Sequence, residues 1–203
     1  YRKSFCGTQN PMTAQKIKVL HVTGHLGGGV GRILSSLASH NRHKNPWIED
    51  AFLCLEKPKD LRFHNALVEA GCPVVISPSE AKTRRAVEEA DIVQIEWWHH
   101  PLAAEWLCRY GHVPARRVAW VHTSGLHCPA LSPSFADLFH AFVLSTRASL
   151  HAVGGVRPNV SHISSAADFG NFPTHDRTDD CRFTCGYMGS LNYAKLHPDI
   201  LSY

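Results

Sequence analysis

The sequence predicts an α/β fold in which helices cover both faces of a doubly wound parallel sheet. Short apolar segments rich in β-branched residues, as expected of strands buried on both faces, alternate with amphipathic helical segments. The connections between these strands are too long for hairpins, which favours parallel pairing with right-handed crossovers. Since ligands of such sheets gather beyond the carboxyl ends of the strands, we expect the functional site there.

The first half of the chain supplies three strands, each followed by a helix. IKVLHVT is short, β-branched and bounded by Gly24, which makes it the strongest strand candidate. After the loop GHLGGGVGR, ILSSLASH has its apolar residues at helical spacing. IEDAFLCL is the second strand, and the helix DLRFHNALVEAG ends at Gly71. PVVIS is the third strand, and Ser79 caps the polar helix SEAKTRRAVEEA.

The same alternation continues in the second half. DIVQIEW is the fourth strand, and Pro101 suits the first turn of the helix PLAAEWLCRYG, which Gly111 ends. RRVAWVH is the fifth strand, SPSFADLFH a helix and AFVLS a sixth strand. Each strand is thus followed by a helix, as in a chain of βα units.

Four segments are predicted along the chain. Residues 1–15 are a flexible N-terminal extension, because Met12 comes immediately before the first folded segment. Residues 16–170 form the α/β domain. From Gly154 to Asp180 small, polar and turn-forming residues dominate and Pro173 interrupts any regular element, which predicts an interdomain linker at 171–181. Residues 182–203, with the buried-strand pattern FTCGYMGSL, begin a second α/β unit.

Composition bounds the class of protein. The chain has 203 residues, 44% hydrophobic and 19% charged, values typical of a folded globular protein. Its net charge of +4 is spread among acidic residues, so we expect no nucleic-acid partner. Seven Cys without a CxxC pair indicate buried free thiols and a reducing, cytoplasmic location. We expect neither a membrane span, which needs ~20 apolar residues, nor a signal peptide.

The glycine-rich loop is the sharpest local signal. Gly27, Gly28, Gly29 and Gly31 permit close backbone approach, and the helix that follows directs free N–H groups towards an anion, which favours a phosphate site. The spacing is neither the dinucleotide fingerprint G-x-G-x-x-G nor a P-loop. A tight turn without a ligand is the alternative interpretation.

Aromatic and imidazole side chains follow the fourth strand. Trp97, Trp98 and His99 lie at the carboxyl end of this strand, where aromatic side chains could stack on a sugar ring or shape an acceptor cleft. Alternatively the two Trp side chains fill the core and the His side chains are solvated. Glu96 could act as a base, although the sequence shows no partner carboxylate.

The fifth strand ends in His122 and Thr123, at the same edge of the sheet as the glycine loop. A polar HTSG turn surrounds His122, which favours a functional role over a satisfied core histidine. The spacing of His122 and His127 is not a zinc pattern, and we expect no bound metal.

Four segments in the correct order resemble the GT-B glycosyltransferases of family 4. KVLHVTGHLGGGVGR resembles the first strand and glycine-rich loop of that family, VHTSG its strand ending in His, AFVLSTRASLHAV its later strand and helix, and GYMGSLNYAKLHPD the opening of its donor-binding domain. The resemblance covers most of the chain. It implies a Rossmann-like, acceptor-binding N-terminal domain followed by the start of a donor-binding domain, so that this chain alone is inactive.

The resemblance also implies roles for residues. Gly28, Gly29, Gly31 and Arg32, with Ser190 and Lys195 from the second unit, would bind the donor diphosphate and sugar. His122 would contact the donor sugar as the catalytic residue, and Trp97, Trp98, His99 and Thr123 would bind the acceptor. The family transfers sugar from a nucleotide-sugar donor, with retention of configuration and without a metal or cofactor.

Two departures and several alternatives remain open. The family often has Arg where this chain has Ser190, and only Asp168 matches its turn before the linker. The acceptor is a carbohydrate, a lipid-linked sugar or a small molecule. Arg84, Arg85, Arg116 and Arg117 favour slightly a membrane-surface acceptor with weak peripheral membrane contact, but solvated faces explain these charges equally well. An NAD- or nucleotide-binding enzyme with Glu56 on a ribose, and a non-catalytic binding module, are the rival interpretations.

Overall fold

The computed structural model describes residues 16–165, which form a seven-stranded, all-parallel sheet flanked by helices. The strand order β3-β2-β1-β4-β5-β6-β7 is that of a doubly wound, Rossmann-like fold, and the order reverses between β1 and β4. The strands are β1 Ile17–Thr23, β2 Ile48–Cys54, β3 Val74–Ile76, β4 Ile92–Trp97, β5 Arg116–Val121, β6 Ala141–Leu144 and β7 Val160–His162. The helices are α1 Gly28–Lys44, α2 Arg62–Glu69, α3 Glu80–Glu88, α4 Pro101–Tyr110, α5 Pro133–Ala136 and a 3₁₀ helix Arg147–Val153.

The predicted fold class is therefore confirmed, with the six predicted strands in place. Four local features differ from the prediction. The strand β7 was not predicted, because its three residues lie in a stretch dominated by turn-forming side chains. Helix α5 has only four residues, and the segment after β6 is a 3₁₀ helix that Gly154 ends with a left-handed φ of 81°. Helix α1 begins at Gly28, inside the segment predicted as a loop.

Alternate residues of the central strands point to opposite faces of the sheet, and each face has its own core. Val22, Ile95 and Val121 are fully buried on one face, within the larger apolar cluster. On the other face Phe52 packs with Leu34 of α1 in the smaller cluster. Burying apolar side chains on both sides explains why the strands read as nearly continuous apolar runs.

Free thiols are confirmed for the four Cys among residues 16–165. Cys54 is buried, Cys72 is half-buried, and Cys108 and Cys128 are exposed, so the expectation of burial is wrong for the last two. Both exposed thiols lie outside the strands, where side chains need not pack on the sheet. No helix in the described part of the chain is long and apolar enough to cross a membrane.

The predicted domain boundaries stay predictions. The described residues all belong to one compact unit, Tyr1–Asp168. The predicted extension 1–15, linker 171–181 and second unit 182–203 lie outside the described residues.

Candidate functional site

The carboxyl ends of β1, β2, β4 and β5 meet at one edge of the sheet. The register pairs Thr23 with Cys54 and Trp97 with Val121, so these four strands end nearly level. Backbone bonds continue past the ends: the His122 amide donates to the Trp97 carbonyl at 2.8 Å. The residues that follow the strands are therefore fixed by the sheet itself, which gives this edge a rigid base.

A chain of buried polar side chains crosses the middle of the sheet and reaches this edge at His122. His21 on β1 contacts Asp50 Oδ1 on β2 through Nε2, at 3.1 Å, and Glu96 Oε1 on β4 through Nδ1, at 3.1 Å. Glu96 Oε2 in turn lies 2.7 Å from Nε2 of His122. His21 and Glu96 are almost completely buried, with 2% and 0% of their surfaces exposed. We call His21, Asp50, Glu96 and His122 the polar chain.

Two amides complete the polar chain at its flanks. Asn41 of α1 donates to Asp50 Oδ2 at 2.8 Å, and Gln94 donates to Glu96 Oε1 at 2.8 Å. Every carboxylate oxygen of Asp50 and Glu96 thus accepts a hydrogen bond, which offsets much of the cost of burying these charges.

Protonation states follow from these contacts. Burial alone lowers the pKa of His21, but hydrogen bonds to Asp50 and Glu96 and the charges of both carboxylates outweigh it and raise the pKa to about 9. For Asp50 and Glu96, burial raises the pKa, yet the hydrogen bonds from His21, Asn41 and His122 outweigh it and the net shift is downward. At neutral pH His21 is therefore an imidazolium that donates to two carboxylates.

The polar chain fixes the orientation of His122. Glu96 is ionised and can only accept hydrogen bonds, so Nε2 of His122 carries the proton of their 2.7 Å bond. Nδ1 of His122 makes no hydrogen bond to any residue between 16 and 165. This is the arrangement of a histidine that is held by a carboxylate on one side and free for a ligand on the other.

Trp98 connects His122 to the glycine turn. Its ring centroid lies 6.4 Å from that of His122, 5.5 Å from that of His25 and 5.8 Å from that of His100. His25 in turn lies against Gly27, whose added Cβ would be 2.9 Å from Nδ1. These contacts place the glycine turn and His122 on the same side of the molecule. We call Trp98, His25, His100 and His122 the Trp98 cluster.

The glycines of the predicted phosphate loop have different roles. Gly27 is the N-cap of α1, and no side chain caps this end of the helix. The backbone amides of Gly28 and Gly29 lie in the first turn and therefore have no acceptor within the helix. Gly28 has a φ of +57°, and both Gly28 and Gly29 are exposed. The free amides and the positive end of the helix dipole suit an anion at this position.

The placement of Gly31 among the anion-binding residues is corrected. Gly31 is buried, and its amide already donates to the Gly27 carbonyl at 3.1 Å. An added Cβ would lie 2.7 Å from the Phe63 ring, so glycine is required there for packing α1 against α2. Arg32 is exposed on α1, one turn from the free amides.

The predicted acceptor residues are divided between core and edge. Trp97 is corrected: it points into the core with 7% of its surface exposed, and its ring packs 4.5 Å from that of Phe135. Adjacent residues of a strand point to opposite faces, so a Trp pair at a strand end cannot share one surface. Trp98 is half-buried in the Trp98 cluster.

His99 and Thr123 lie at the edge with unused polar atoms. Thr123 Oγ1 and His99 Nε2 are buried and have no hydrogen-bond partner among residues 16–165. Burial lowers the pKa of His99, so it is neutral at pH 7. His99 also has a positive φ of 63°, which is uncommon for a residue with a side chain. Ser190 and Lys195 lie outside the described residues.

Sequence reasoning missed His21 and Asp50. Both stand inside otherwise apolar strands, IKVLHVT and IEDAFLC, and an ionisable side chain in a strand buried on both faces needs a partner. Glu96 shows the same signal in IVQIEW. The sequence did not give the strand order β2-β1-β4, which is what brings the three side chains together.

A separate cavity of about 670 Å³ opens at the opposite edge, beside the amino ends of the strands, and is bordered by Lys18, Asp50 and Cys72. Its remaining walls are mostly apolar. Ligands of open α/β sheets bind beyond the carboxyl ends of the strands, so the Trp98 cluster and not this cavity is the candidate site.

No family model matches the chain, and no curated protein matches it. A solved glycosyltransferase structure from Rickettsia africae ESF-5 matches with a TM-score of 0.50 and 13% identity, over 73% of this chain and 43% of that protein. The chain shares its fold with that glycosyltransferase.

Two further solved structures are similar over shorter or looser alignments. The apo form of the lipopolysaccharide outer core galactosyltransferase WaaB matches with a TM-score of 0.48 and 14% identity, over 71% of this chain and 44% of that protein. The apo form of the glycosyltransferase GlyE from Streptococcus pneumoniae TIGR4 matches with a TM-score of 0.36 and 11% identity, over 52% of this chain and 25% of that protein. This chain spans less than half the length of each of the three proteins. At such identities, the match to the Rickettsia protein establishes the fold.

Proposed function

We propose that this chain is the N-terminal part of a retaining GT-B glycosyltransferase, similar to family 4, which transfers a sugar from a nucleotide-sugar donor to an acceptor. The acceptor is a carbohydrate, a lipid-linked sugar or a small molecule, and the site of action is the cytoplasm or its membrane surface. The observation that carries the proposal is the convergence of the free α1 amides and of His122 on the Trp98 cluster, in a fold shared with a glycosyltransferase.

Charge and hydrogen bonding support this assignment. In sugar transfer the bond from the anomeric carbon to the diphosphate breaks, a bond to the acceptor oxygen forms, and the acceptor proton passes to the departing diphosphate. The negative charge that grows on the diphosphate suits the exposed amides of Gly28 and Gly29 at the positive end of α1, with Arg32 nearby. Ser190 and Lys195, the other predicted donor-binding residues, lie outside the described residues.

His122 would hold the transferred sugar. The bond to Glu96 fixes the imidazole plane, and Nδ1 is then the atom that meets a sugar hydroxyl. Trp98 supplies an aromatic surface beside it, and Thr123 Oγ1 and His99 Nε2 are polar atoms that lack a partner among the described residues and suit acceptor hydroxyls. No step in this scheme requires a bound cofactor.

The test is performed on the full-length protein. UDP or GDP at about 100 times its dissociation constant should stabilise the protein by about 2.7 kcal/mol against unfolding. His122→Ala and Gly29→Val should each reduce sugar transfer at least about tenfold. Gly29→Val should keep a thermal midpoint near that of the wild type, because nothing lies within 4 Å of an added Cβ at Gly29. His122→Ala removes the donor to the buried Glu96 carboxylate and should lower the thermal midpoint, so its sugar transfer is measured at a temperature at which the variant is folded. His127→Ala, an exposed histidine in the same loop, is the control.

Two outcomes would reject the proposal. One is unchanged sugar transfer by both variants, which would remove the site from this edge. The other is stabilisation by a nicotinamide cofactor but not by a nucleoside diphosphate, which would favour the rival dinucleotide enzyme with Glu56 on a ribose.

A further inference from the structure

Three potential metal ligands meet at the carboxyl edge, beside the polar chain but separate from it. His25 follows β1, Glu56 follows β2 and His100 follows β4, and one ligand atom from each lies within 4.8 Å of the other two. Nε2 of His100 is 3.5 Å from Oε1 of Glu56. We propose that His25, Glu56 and His100 bind a divalent transition metal of the zinc class.

The backbone fixes the positions of these ligands. The Glu56 amide donates to the Gly24 carbonyl at 2.9 Å, and Thr23 Oγ1 donates to the His25 carbonyl at 3.0 Å, so the turns after β1 and β2 are tied together. A Cβ at Gly24 would lie 2.5 Å from Cγ of His100. The missing side chain at position 24 therefore makes the space that the His100 ring occupies.

Within residues 16–165 the trio makes few polar contacts: His100 approaches Glu56 at 3.5 Å, and the rings of His25 and His100 otherwise pack against Trp98 and against each other. Neither imidazole makes a hydrogen bond there. The His100 side chain is only 15% exposed, and its Nδ1 is buried without a hydrogen-bond partner. By contrast, every carboxylate oxygen of Glu96 and Asp50 is already bonded. The imidazoles of His25 and His100 and the Glu56 carboxylate, in contrast, are free to act as metal ligands.

The donor set decides the class of metal. Two imidazoles and one carboxylate are the ligands of open zinc sites, which keep a fourth position for water or substrate, with bonds of about 2.0–2.2 Å. Ligand atoms around such an ion are about 3.3 Å apart, so a spread of 4.8 Å closes with small side-chain rotations. Glu56 is half-exposed, which leaves the ion an entry path from solvent.

No short sequence motif identifies this site, because the three ligands follow three different strands. Spacing rules for zinc detect ligands that share one turn or helix, and the sequence therefore predicts no bound metal. The sheet order β2-β1-β4 puts these strand ends next to one another.

The test is metal binding by the 203-residue chain, which does not depend on sugar transfer. The chain is first treated with EDTA and then titrated with Co²⁺, followed by competition with Zn²⁺. We expect one equivalent of Co²⁺ with the visible absorption of a four- or five-coordinate nitrogen and oxygen site, displaced by one equivalent of Zn²⁺. Glu56→Gln and His100→Ala should each weaken Co²⁺ binding at least about tenfold, as loss of a ligand requires.

Control variants separate this site from surface histidines and from thiols. His64→Ala and Glu69→Gln, away from the cluster on α2, should bind Co²⁺ as the wild type does. Glu56→Gln is nearly isosteric at a half-exposed position and should keep the wild-type thermal midpoint, so its result is decisive even if His100→Ala fails to fold. Wild-type affinity in Glu56→Gln, absence of stoichiometric binding, or a cobalt–thiolate charge-transfer band would each overturn the proposal.

Discussion

Replacing His21 by Leu tests the polar chain most severely. The change keeps the approximate volume of the side chain but leaves Asp50 and Glu96 buried on either side without the imidazolium that each contacts at 3.1 Å. Removing one partner of a buried ion pair typically costs about 3–5 kcal/mol, because the remaining charge is uncompensated. Asp50 keeps its bond from Asn41 and Glu96 keeps its bonds from Gln94 and His122, so we place the cost of His21→Leu within that range.

The assay is urea unfolding at pH 7, with His112→Leu as an exposed control that should change stability by less than about 0.5 kcal/mol. The triple variant His21→Leu, Asp50→Asn and Glu96→Gln also lacks the two buried carboxylate charges. It should therefore be less destabilised than the His21→Leu variant alone. A loss below about 1 kcal/mol for His21→Leu, or simple additivity in the triple variant, would refute the account of a charged buried chain.

Three further predictions follow from the described contacts. Contact with two carboxylates outweighs burial and raises the pKa of His21 from 6.5 to about 9, so its stabilisation is fully present below pH 6.5 and is lost as the pH rises through 9. The free energy of unfolding should therefore fall by about 2 kcal/mol between pH 7 and 9 in the wild type and change less in His21→Leu. Gly31→Ala, with a Cβ 2.7 Å from Phe63, should cost about 1–3 kcal/mol in urea unfolding while Gly29→Ala costs nothing, and equal effects would contradict the division of roles between these glycines. Trp97→Ala should lose about 3–5 kcal/mol as a core truncation and Trp98→Ala clearly less, so a reversed order would show that the two rings are misassigned.

The fold followed from the sequence because local and global signals agree. Each apolar run of strand length is separated from the next by a helix with its own start or stop signal, such as Ser79, whose Oγ accepts the Lys82 amide at 3.4 Å. The element β7 was missed for a physical reason: its pairing with β6 stabilises only three residues, and nothing in their own pattern indicates a strand.

The sequence predicts that the candidate site lies at the carboxyl edge of the sheet, but it does not predict which side chains contact one another there. His122 and Trp98 stand at strand ends, where position along the chain is enough to place them at the carboxyl edge. The partners of His122 depend on the order of the strands, because Glu96 and His21 face each other only when β1 lies beside β4. Successive side chains at the end of a strand point to opposite faces of the sheet. Trp97 therefore points into the core, whereas Trp98 lies at the edge.

The most direct test of the proposed function asks which edge of the sheet meets the nucleotide. In the full-length protein labelled with fluorotryptophan, the ¹⁹F signals of Trp98 and Trp47 are assigned with Trp98→Phe and Trp47→Phe, and a UDP- or GDP-sugar is added. Trp47 precedes β2 at the opposite edge and is 47% exposed, so it reports on binding at the amino ends. The account predicts that the Trp98 signal shifts in proportion to occupancy and that the Trp47 signal stays in place. A shift at Trp47 alone, or no shift at either ring, would contradict it.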